Sequence, residues 1–425
     1  MIEKQPSCDD TDEPELLPVD EARTRLLAAL APTSRSETVG LDDAFGRVLA
    51  LDVVSGIDVP AQTNSAMDGY AIHSSSIPVQ GEASLECVGT AWAGQPFEGV
   101  VAKDQAVRIF TGAILPEGAD TVVIQEHVRE SAGHIDIDHD VVAQKNVRHA
   151  GEDIQTGQSV LKAGRKLEAA DIGVIASLGI ATVQVYVRLK VAFFTTGDEL
   201  QSLSDHTPGD TLPAGMLFDS NRHTLSCLLE SVGVESIDLG IVRDNEDDTR
   251  KALERAASVA DVVVTSGGVS AGDADFVTRV FHEMGSVKFW KLAMRPGRPL
   301  AFGKVSDAAF FGLPGNPVAV VVTFLQFVKP ALRHLSGMHD INPITLTAVS
   351  DSALRKSPGR IEFQRGVMRV DENGTLRVAS TGKQGAGRLS SVSAANCLIV
   401  INAEVDGVKP GDTVGVQPFH GLLGA

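Results

Sequence analysis

Cysteine and positive charge are both scarce in this chain, and each shortage excludes some classes of protein. Four cysteines occur in 425 residues, scattered at positions 8, 87, 227 and 397, with no Cys-x-x-Cys pair and no metal-ligand spacing. Scattered cysteines without a pairing pattern are typical of proteins in a reducing compartment. We therefore expect a cytoplasmic protein whose cysteines are buried or without a chemical role. Lysine and arginine number 37 against 55 aspartate and glutamate residues, a formal net charge of −18. This acidity argues against nucleic acid or a membrane surface as a general partner.

Long apolar runs and the common catalytic motifs are missing as well. No apolar run reaches the roughly 18 residues that a membrane helix needs, and residues 1–15 are acidic and lack the apolar core of a signal peptide. The chain has no Ser-His-Asp, Cys-His or His-Glu-x-x-His pattern, no Walker A sequence and no Gly-x-Gly-x-x-Gly after a strand. No membrane association is therefore expected, and the eleven dispersed histidines are not assigned as metal ligands.

The residue pattern changes several times along the chain, and its length exceeds what one hydrophobic core usually organises. Residues 1–17 are polar and predict a disordered tail, and a helix is predicted through residues 44–49. Short strands and glycines from about 80 to 150 predict a small all-β module, and residues 340–420 predict a second one. Between them, alternating strands and helices predict a doubly wound α/β domain with a mostly parallel sheet.

Two glycine-bearing turns follow apolar runs in this α/β region. The runs at 262–265 and 310–313 predict buried strands, and the second turn leads into an apolar helix near Pro317. Paired glycines permit positive φ, which lets backbone N–H groups converge on an anion. We therefore predict an oxyanion or phosphate pocket at the carboxyl edge of the sheet. Its candidate residues are Ser266, Gly267, Gly268, Ser270, Pro314, Gly315 and Asn316.

A basic segment lies between the two turns. Lys291 offers a point charge and Arg295 and Arg298 offer planar forks, which are the donors an anion needs. A solvated basic face is the alternative, although the prolines and glycine of residues 296–299 favour a shaped loop. Arg365 is a further candidate in the last domain, where a surface position is the alternative.

Carboxylates follow most of the predicted strands of the α/β region. Asp198 and Glu199 come after the first strand, Asp244 after the next, and Asp273 and Asp275 after the first glycine turn. A solvated turn or a helix cap explains each residue alone, but explains the whole set less well. Carboxylates beside a phosphate site suit Mg²⁺, so these acidic residues as a set offer candidate ligands for it. The residues alone thus predict a multidomain protein that binds a phosphorylated anion with Mg²⁺.

Nine short motifs occur in order along the chain: NSAMDGYA at 64–71, TGA at 111–113, GEDI at 151–154, TGDEL at 196–200, SGGVSAGDADF at 266–276, RPGRP at 295–299, LPGNP at 313–317, FQRG at 363–366 and NCLIV at 396–400. Each is weak alone, and together they are specific. In this order they resemble the molybdopterin molybdenumtransferase family (MoeA in bacteria, the E domain of gephyrin-type proteins), and the resemblance covers roughly residues 18–420.

The resemblance implies a reaction. The family takes adenylylated molybdopterin, hydrolyses the adenylate with a divalent cation, usually Mg²⁺, and inserts molybdate, releasing molybdenum cofactor and AMP. Lys291 and Arg295 match its basic pair, and Arg365 matches a basic position of its last domain. The residues that match its active-site cleft are Asp68, Thr111 and Asp153. Those that match its acidic positions, and are thereby the predicted Mg²⁺ ligands, are Glu199, Asp244 and Asp275.

The resemblance also implies an organisation. The family is an elongated homodimer whose cleft takes residues from both protomers. Its layout implies an N-terminal domain made of residues 18–54 and 152–187, with an inserted β domain at 55–151, an α/β domain at 188–337 and a C-terminal β domain at 338–425. The molybdopterin adenylyltransferase and molybdoenzyme-maturation proteins are the protein partners that would fit such an enzyme.

Two positions depart from the family pattern. Arg295 stands where the family often has a lysine, which exchanges a point charge for a planar fork. Ala386 stands where the family often has a serine, so a hydroxyl donor to molybdate is missing unless Ser390 or Ser391 replaces it. Two other functions stay open at this stage: adenylation of molybdopterin with ATP, and a non-catalytic scaffold that keeps the fold. The four-domain layout and NSAMDGYA argue against the first, and the acidic set argues against the second.

Overall fold

The computed structural model describes residues 16–207, 209, 211–268, 280 and 283–419. The site candidates Ser270, Asp273 and Asp275 lie outside these residues, as does nearly all of the predicted tail. Leu17, at the end of that tail, lies within them and forms a parallel bridge with Leu292. Its N–H donates to the carbonyl of Lys291 at 2.9 Å, so this residue is part of the folded protein.

A six-stranded sheet forms the centre of the fold, and its first four strands are parallel. The remaining two strands are antiparallel to their neighbours. In spatial order the strands are Glu235–Val242, Lys190–Thr196, Val262–Ser266, Ala308–Leu313, Pro299–Val305 and Gly285–Lys291. Alternate residues of one strand enter different cores, with Val191 and Phe193 on one face and Ala192 and Phe194 on the other.

Helices cover both faces of this central sheet. The helix Ser220–Val232 and the helical segment Pro317–Leu335 contribute to the core on one face, and the helix Glu246–Val259 contributes to the core on the other. Asp219 and Asn245 cap the first and last of these helices by accepting backbone N–H groups with their side chains. The predicted doubly wound α/β domain is therefore confirmed.

The segment Pro317–Leu335 is the most buried helix of this domain. It consists of an α-helix at Pro317–Thr323, a π-helical turn at Phe324–Val328 and an α-helix at Lys329–Leu335. Its length and composition would allow it to cross a membrane, but 83% of its most apolar 18 residues are buried inside the protein. A segment that packs in this way is a core helix.

The N-terminal part contains the helices Val19–Ala28 and Ala169–Ser177 and the paired strands Ser36–Gly40 and Thr182–Tyr186. The helix predicted through residues 44–49 is wrong. Gly46 has a φ of +74°, which ends any helical path there. Val48 and Leu49 instead form bridges with Lys166 and Val185. Two pairs of short strands complete this part: Val53–Val54 with Ser159–Leu161, and Asn64–Ser65 with Val147–Arg148.

A second six-stranded sheet lies within residues 69–138. Its strands, in spatial order, are Thr121–Ile124, Gly69–Ile72, Gln105–Ile109, Glu82–Ala91, His134–Asp138 and Arg129–Ser131. Apolar clusters lie on both of its faces. These strands agree with the all-β module that the sequence predicts, and the first of them, Thr121–Ile124, leads directly into a 3₁₀ turn at Gln125–His127.

The C-terminal strands close into a small barrel. Its five strands, in the order of pairing, are Ile361–Val370, Leu376–Ser380, Leu346–Ser350, Thr413–Pro418 and Cys397–Ile401, and the last pairs with the first. A hairpin turn at Asn373-Gly374 joins the first two strands, with Gly374 at a φ of +79°. The short strand Met294–Arg295 from the central domain adds to the barrel beside Ile361 and Glu362.

Candidate active site

The carboxyl ends of three central strands meet at one edge of the sheet. Thr195 is opposite Ser266, and Ser266 is opposite Leu313, so these strands end level with one another. Thr196, at the end of its strand, also pairs with Val242 of the fourth parallel strand. This is the edge at which doubly wound sheets bind ligands.

Asn221 joins two of these strand ends. Its side-chain N–H₂ donates to the hydroxyl of Ser266 at 3.0 Å and to the carbonyl of Gly315 at 2.7 Å. The Ser266 hydroxyl in turn donates to the carbonyl of Pro314 at 3.2 Å, and the Gly267 N–H donates to the carbonyl of Leu313 at 3.0 Å. The two predicted glycine turns therefore form one connected surface.

Gly267 is required by close packing as well as by conformation. Its φ is +99°, and a Cβ at this position would lie 2.5 Å from the backbone oxygen of Thr196. Gly268 also has a positive φ, at +67°. Successive residues of this kind turn the backbone sharply at the strand end, which supports the predicted anion pocket. Asn316, the last member of this set, is exposed at the start of the helix Pro317–Thr323.

Three carboxylates gather at the same edge. The Asp244 N–H donates to a carboxylate oxygen of Asp198 at 3.2 Å. Asp244 is an exposed residue, but partial loss of contact with water raises its pKa, and the negative charges of Asp198 and Glu199 raise it further. The carboxylate of Glu199 folds back against Gly197, where a Cβ would lie 2.7 Å from one of its oxygens. Glu199 and Asp244 therefore lie close together as predicted, with Asp198 as a third member.

These carboxylates have the donor chemistry for Mg²⁺, because crowded acidic groups that oppose one another's ionisation are relieved by a cation. Within the described part of the chain, no group of three or more His, Cys, Asp or Glu residues has the geometry of a complete metal site. The third predicted ligand, Asp275, lies outside the described residues. Asp198, Glu199 and Asp244 therefore supply carboxylates for part of a Mg²⁺ site.

The basic segment begins at the end of the outermost strand, Gly285–Lys291, and lies at the same carboxyl edge of the sheet. Because Gly285–Lys291 and Ala308–Leu313 are both antiparallel to the strand between them, Lys291 lies at the carboxyl edge with Leu313. Two strand spacings separate them, about 10 Å. Arg298 precedes the first residue of the intervening strand, and its carbonyl accepts the Leu292 N–H at 2.8 Å. Arg295 is exposed, and its guanidinium lies 3.6 Å from the carboxylate of Glu362 in the barrel.

Arg365 is placed differently from a surface cation. It is 1% exposed, and burial lowers its pKa to about 10. Its guanidinium donates to the Ser391 hydroxyl at 3.0 Å and to the Gly385 carbonyl at 3.3 Å. The side chain thus holds both ends of the loop that contains Ala386, and the alternative of a surface position is wrong.

Ala386 contacts the helix at the central site. Its carbonyl accepts the N–H of Val318 at 3.0 Å, in the first turn of the helix Pro317–Thr323. The Ser391 hydroxyl is already engaged, since it donates to the Arg388 carbonyl at 2.7 Å and accepts from Arg365. Ser390 is exposed. Of the two serines considered as replacements for the missing hydroxyl, only Ser391 has its hydroxyl hydrogen-bonded among the described contacts, which leaves Ser390 as the better candidate.

The remaining candidates lie in the N-terminal half. Asp68 accepts two hydrogen bonds from Thr111, one from its N–H and one from its hydroxyl. These bonds lower the pKa of Asp68, with the backbone hydrogen bond contributing most. Asp153 is exposed, and its N–H donates to the carbonyl of Val59 at 3.0 Å. All partners in the described hydrogen bonds of Asp68, Thr111 and Asp153 belong to the N-terminal half of the chain. None of these bonds reaches the central sheet.

The structure therefore forms two groups from the predicted residues: one at the central sheet and one in the N-terminal half. Asn221 was not among the site residues predicted from the sequence. Its partners are 45 and 94 positions away, so no local pattern reveals its role.

Comparison with known proteins identifies the family. The profile of the MoeA N-terminal region (domains I and II) matches residues 17–179, that of a probable molybdopterin-binding domain matches 192–334, and that of the MoeA C-terminal region (domain IV) matches 347–419. The molybdopterin molybdenumtransferase of Haemophilus influenzae is 42% identical over 411 residues, which cover 96% of this chain and all of that protein. The chain belongs to the molybdopterin molybdenumtransferase family.

Other members agree with this assignment. The molybdopterin molybdenumtransferase of a Nostoc species is 35% identical over 386 residues, covering 88% of this chain and 87% of that protein. A crystal structure of the molybdopterin biosynthesis MoeA protein of Pyrococcus horikoshii superposes with a TM-score of 0.83 at 30% identity, covering 95% of this chain and all of that one. The family resemblance and the fold class predicted from the motifs are confirmed, and membership places the chain among the enzymes of molybdenum cofactor biosynthesis.

Proposed function

We propose that this enzyme inserts molybdate into adenylylated molybdopterin while it hydrolyses the adenylate, releasing AMP and molybdenum cofactor. The observation that carries the proposal is the central-sheet edge, where two glycine turns tied by Asn221, a carboxylate cluster and Lys291 occur together. A pyrophosphate-linked nucleotide needs N–H donors, a cation from the protein and a metal ion.

The described residues have distinct parts in this reaction. The backbone N–H groups that follow Gly267, whose own N–H donates to Leu313, and those around Gly315 bind phosphate oxygens. Lys291 and Arg298 add positive charge. Asn221 holds the two turns together, and its side-chain oxygen is buried without a hydrogen-bond partner among the described residues. An unpaired buried acceptor is costly, so it favours a ligand that brings an N–H donor, as a pterin ring does.

Mg²⁺ is the proposed metal, held by Glu199, Asp244 and Asp275, with Asp198 close to the first two. When bound, it would offset the carboxylate charges and polarise the phosphoanhydride. The protein's own contribution is to hold Asp198, Glu199 and Asp244 close together despite the mutual repulsion that helps to raise the pKa of Asp244.

The homodimer is also part of the proposal. Asp68, Thr111 and Asp153 have no described hydrogen bond to the central site of their own chain. If a second protomer supplies them, the two groups complete one cleft. Mixing an Asp68→Ala protomer with an Asp244→Ala protomer tests this point, because only a mixed dimer contains one intact cleft. Recovered turnover supports the shared site, and two inactive variants that stay inactive when reassembled as mixed dimers contradict it.

The decisive experiment is AMP release from adenylylated molybdopterin, with and without Mg²⁺ and molybdate. The proposal expects release that needs Mg²⁺ and, with molybdate present, formation of active cofactor. AMP release without metal insertion would indicate a reaction that stops at hydrolysis, with the altered surroundings of Ala386 as its cause. Consumption of ATP with unmodified molybdopterin would instead support an adenylyltransferase. Tight binding of the substrate by a folded protein without any turnover would indicate a scaffold.

A further inference from the structure

Trp92 and Phe110 form an exposed aromatic pair at one edge of the N-terminal β sheet. They follow two neighbouring parallel strands, in which Ala91 is opposite Ile109, so both rings leave the sheet at the same edge. The ring centroids are 4.1 Å apart and the planes differ by 9°, so the rings are stacked face to face. The indole of Trp92 is 50% exposed. Phe110 covers one face of the ring, so half of this large side chain stays accessible to a ligand despite the stacking.

The pair is not needed to close the core beneath it. Phe97 packs against the apolar cluster on this face of the sheet, and its ring lies against the backbone of Gly89 and Gly99. Large exposed aromatic side chains that the core does not require are typical of binding surfaces, where a rigid ring gives contact area at a low entropy cost.

The pair lies beside the Asp68 group. Thr111, which binds Asp68, directly follows Phe110. The guanidinium carbon of Arg108 lies 5.2 Å from the centroid of the Phe110 ring and 4.9 Å from that of Tyr70, and the positive charge of Arg108 helps to lower the pKa of Asp68. A flat aromatic face, a cation and a carboxylate thus occur at one sheet edge.

We propose that Trp92, backed by Phe110, stacks on a planar nitrogen heterocycle of the substrate and positions it in the cleft. This inference rests on the proposed function, because adenylylated molybdopterin contains two such rings, the adenine and the pterin. Adenine and the aminopyrimidinone ring of the pterin are planar and edged with polar atoms, and ring stacking of this kind on an aromatic side chain is worth roughly 1–3 kcal/mol, or about five- to 150-fold in affinity. Arg108 supports the platform through the Phe110 ring.

Fluorescence tests the platform directly, because the chain has two tryptophans, Trp92 and Trp290. In the full-length Trp290→Phe variant, the emission comes from Trp92 alone. Three probes distinguish the two rings: AMP, ribose 5-phosphate, which lacks a ring, and 6-hydroxymethylpterin. Saturable quenching by AMP and none by ribose 5-phosphate assigns the platform to adenine. Quenching by the pterin assigns it to the pterin ring. The Trp92→Phe variant, which keeps Trp290, is the control for energy transfer over a distance.

Substrate kinetics provide the second readout. Trp92→Ala is expected to raise KM for the adenylylated substrate about tenfold with kcat nearly unchanged, because stacking stabilises the bound substrate and the transition state alike. Trp92→Phe keeps a flat ring and is expected to retain most of the affinity. Phe45→Ala is the matched control, since Phe45 is similarly exposed, at 64%, in a different part of the chain.

The outcomes separate the platform from the reaction. If calorimetry shows that AMP and the pterin bind while the Trp92 emission stays constant, the platform is overturned and the proposed function stands. If Trp92 is quenched but no AMP is released from the adenylylated substrate, the platform stands and the proposed function fails. A KM for Trp92→Ala equal to that of Phe45→Ala would also overturn the platform.

Discussion

One carboxylate oxygen of Asp68 accepts both the N–H of Thr111, at 2.8 Å, and the Thr111 hydroxyl, at 2.7 Å. The same two-point contact joins Asp58 to Thr156, at 2.7 and 2.9 Å, and it lowers the pKa of Asp58 in the same way. The two aspartates therefore share a local structure. Only Asp68 lies beside Arg108 and the aromatic pair, which makes Asp58 its natural control.

Asp68→Asn is expected to reduce AMP release by roughly 100-fold, the scale of losing one positioned carboxylate from an active site. The fold should persist, because the amide oxygen of asparagine still accepts both bonds from Thr111. Asp58→Asn should release AMP at the rate of the unchanged protein. The measurement is steady-state AMP release at saturating substrate, together with thermal unfolding of both variants. Equal losses in the two variants would show that the contact is structural in both places.

Asp244→Asn removes one of the crowded carboxylates. We expect the Mg²⁺ concentration for half-maximal AMP release to rise roughly tenfold, because an opposite charge close to a bound cation is lost. The same change should raise Tm at pH 7, because the ionised Asp244 is destabilised in the folded state and carries a raised pKa. This gain should shrink as the pH falls through that pKa, where Asp244 takes up its proton and the repulsion disappears. Asp247→Asn, in the exposed first turn of the next helix, should change neither quantity.

Asn221→Ala separates stability from ligand binding. It removes the link between Ser266 and Gly315, and we expect KM for the adenylylated substrate to rise at least fivefold as the two glycine turns lose their alignment. The free energy of unfolding should fall by about 1–3 kcal/mol, because hydrogen bonds to buried groups are lost. Asn245→Ala removes a helix cap and should cost about 1 kcal/mol without changing KM. An unchanged KM in Asn221→Ala would show that the turns hold their shape without it.

Arg365→Ala is expected to lower the free energy of unfolding by roughly 2–4 kcal/mol, as a large buried side chain and its hydrogen bonds to Ser391 and Gly385 are lost. Chemical denaturation measures it. Arg369→Ala, on the same strand, is the control, because Arg369 is mostly exposed and pairs with Asp351 at 3.2 Å. An exposed ion pair of this kind contributes at most about 1 kcal/mol. Equal costs for the two variants would contradict a structural role for Arg365.

Lys329→Met tests a buried amine in the segment Pro317–Leu335. Burial lowers the pKa of Lys329 to about 7, and the charges of Arg333 and Lys166 also lower it. Below that pH the folded protein bears the cost of a buried charge, so the methionine variant should be more stable at pH 6 by roughly 2 kcal/mol. As the pH rises from 7 towards the value near 10.4 for a free lysine, the folded state loses its proton and the gain should vanish. Denaturation at a series of pH values checks this, with the exposed Lys304→Met expected to show a flat difference.

The elements that the sequence predicted well are those with a strong local signal. The run 262–265 is apolar and β-branched and ends at two glycines, so both the strand and its turn could be recognised. The segment at 44–49 has its apolar residues at a helix-like spacing. Val48 and Leu49 nevertheless pair with Lys166 and Val185, which lie more than a hundred positions away in the chain. Long-range pairing overrides local propensity in this case.

The candidate site shows the same limit. The carboxylates and glycines at the strand ends could be listed from the sequence because parallel strands bring their carboxyl ends to one edge. The burial of Arg365 could not, because an arginine within a strand gives no sign of which face it lies on until the barrel closes. The platform of Trp92 and Phe110 was also missed, because the two residues are brought together by the parallel pairing of Ala91 and Ile109.

The strand Met294–Arg295 belongs to the barrel sheet, although its neighbours on both sides in the chain belong to the central sheet. This strand therefore joins the central domain to the barrel at Arg295, one of the proposed substrate-binding cations. A swing of the barrel as a rigid unit would either break the bridge to Ile361 and Glu362 or carry Arg295 with it. The distance from this positive charge to the glycine turns is thus set by the orientation of an entire domain, and a label on the outer surface of the barrel would report it.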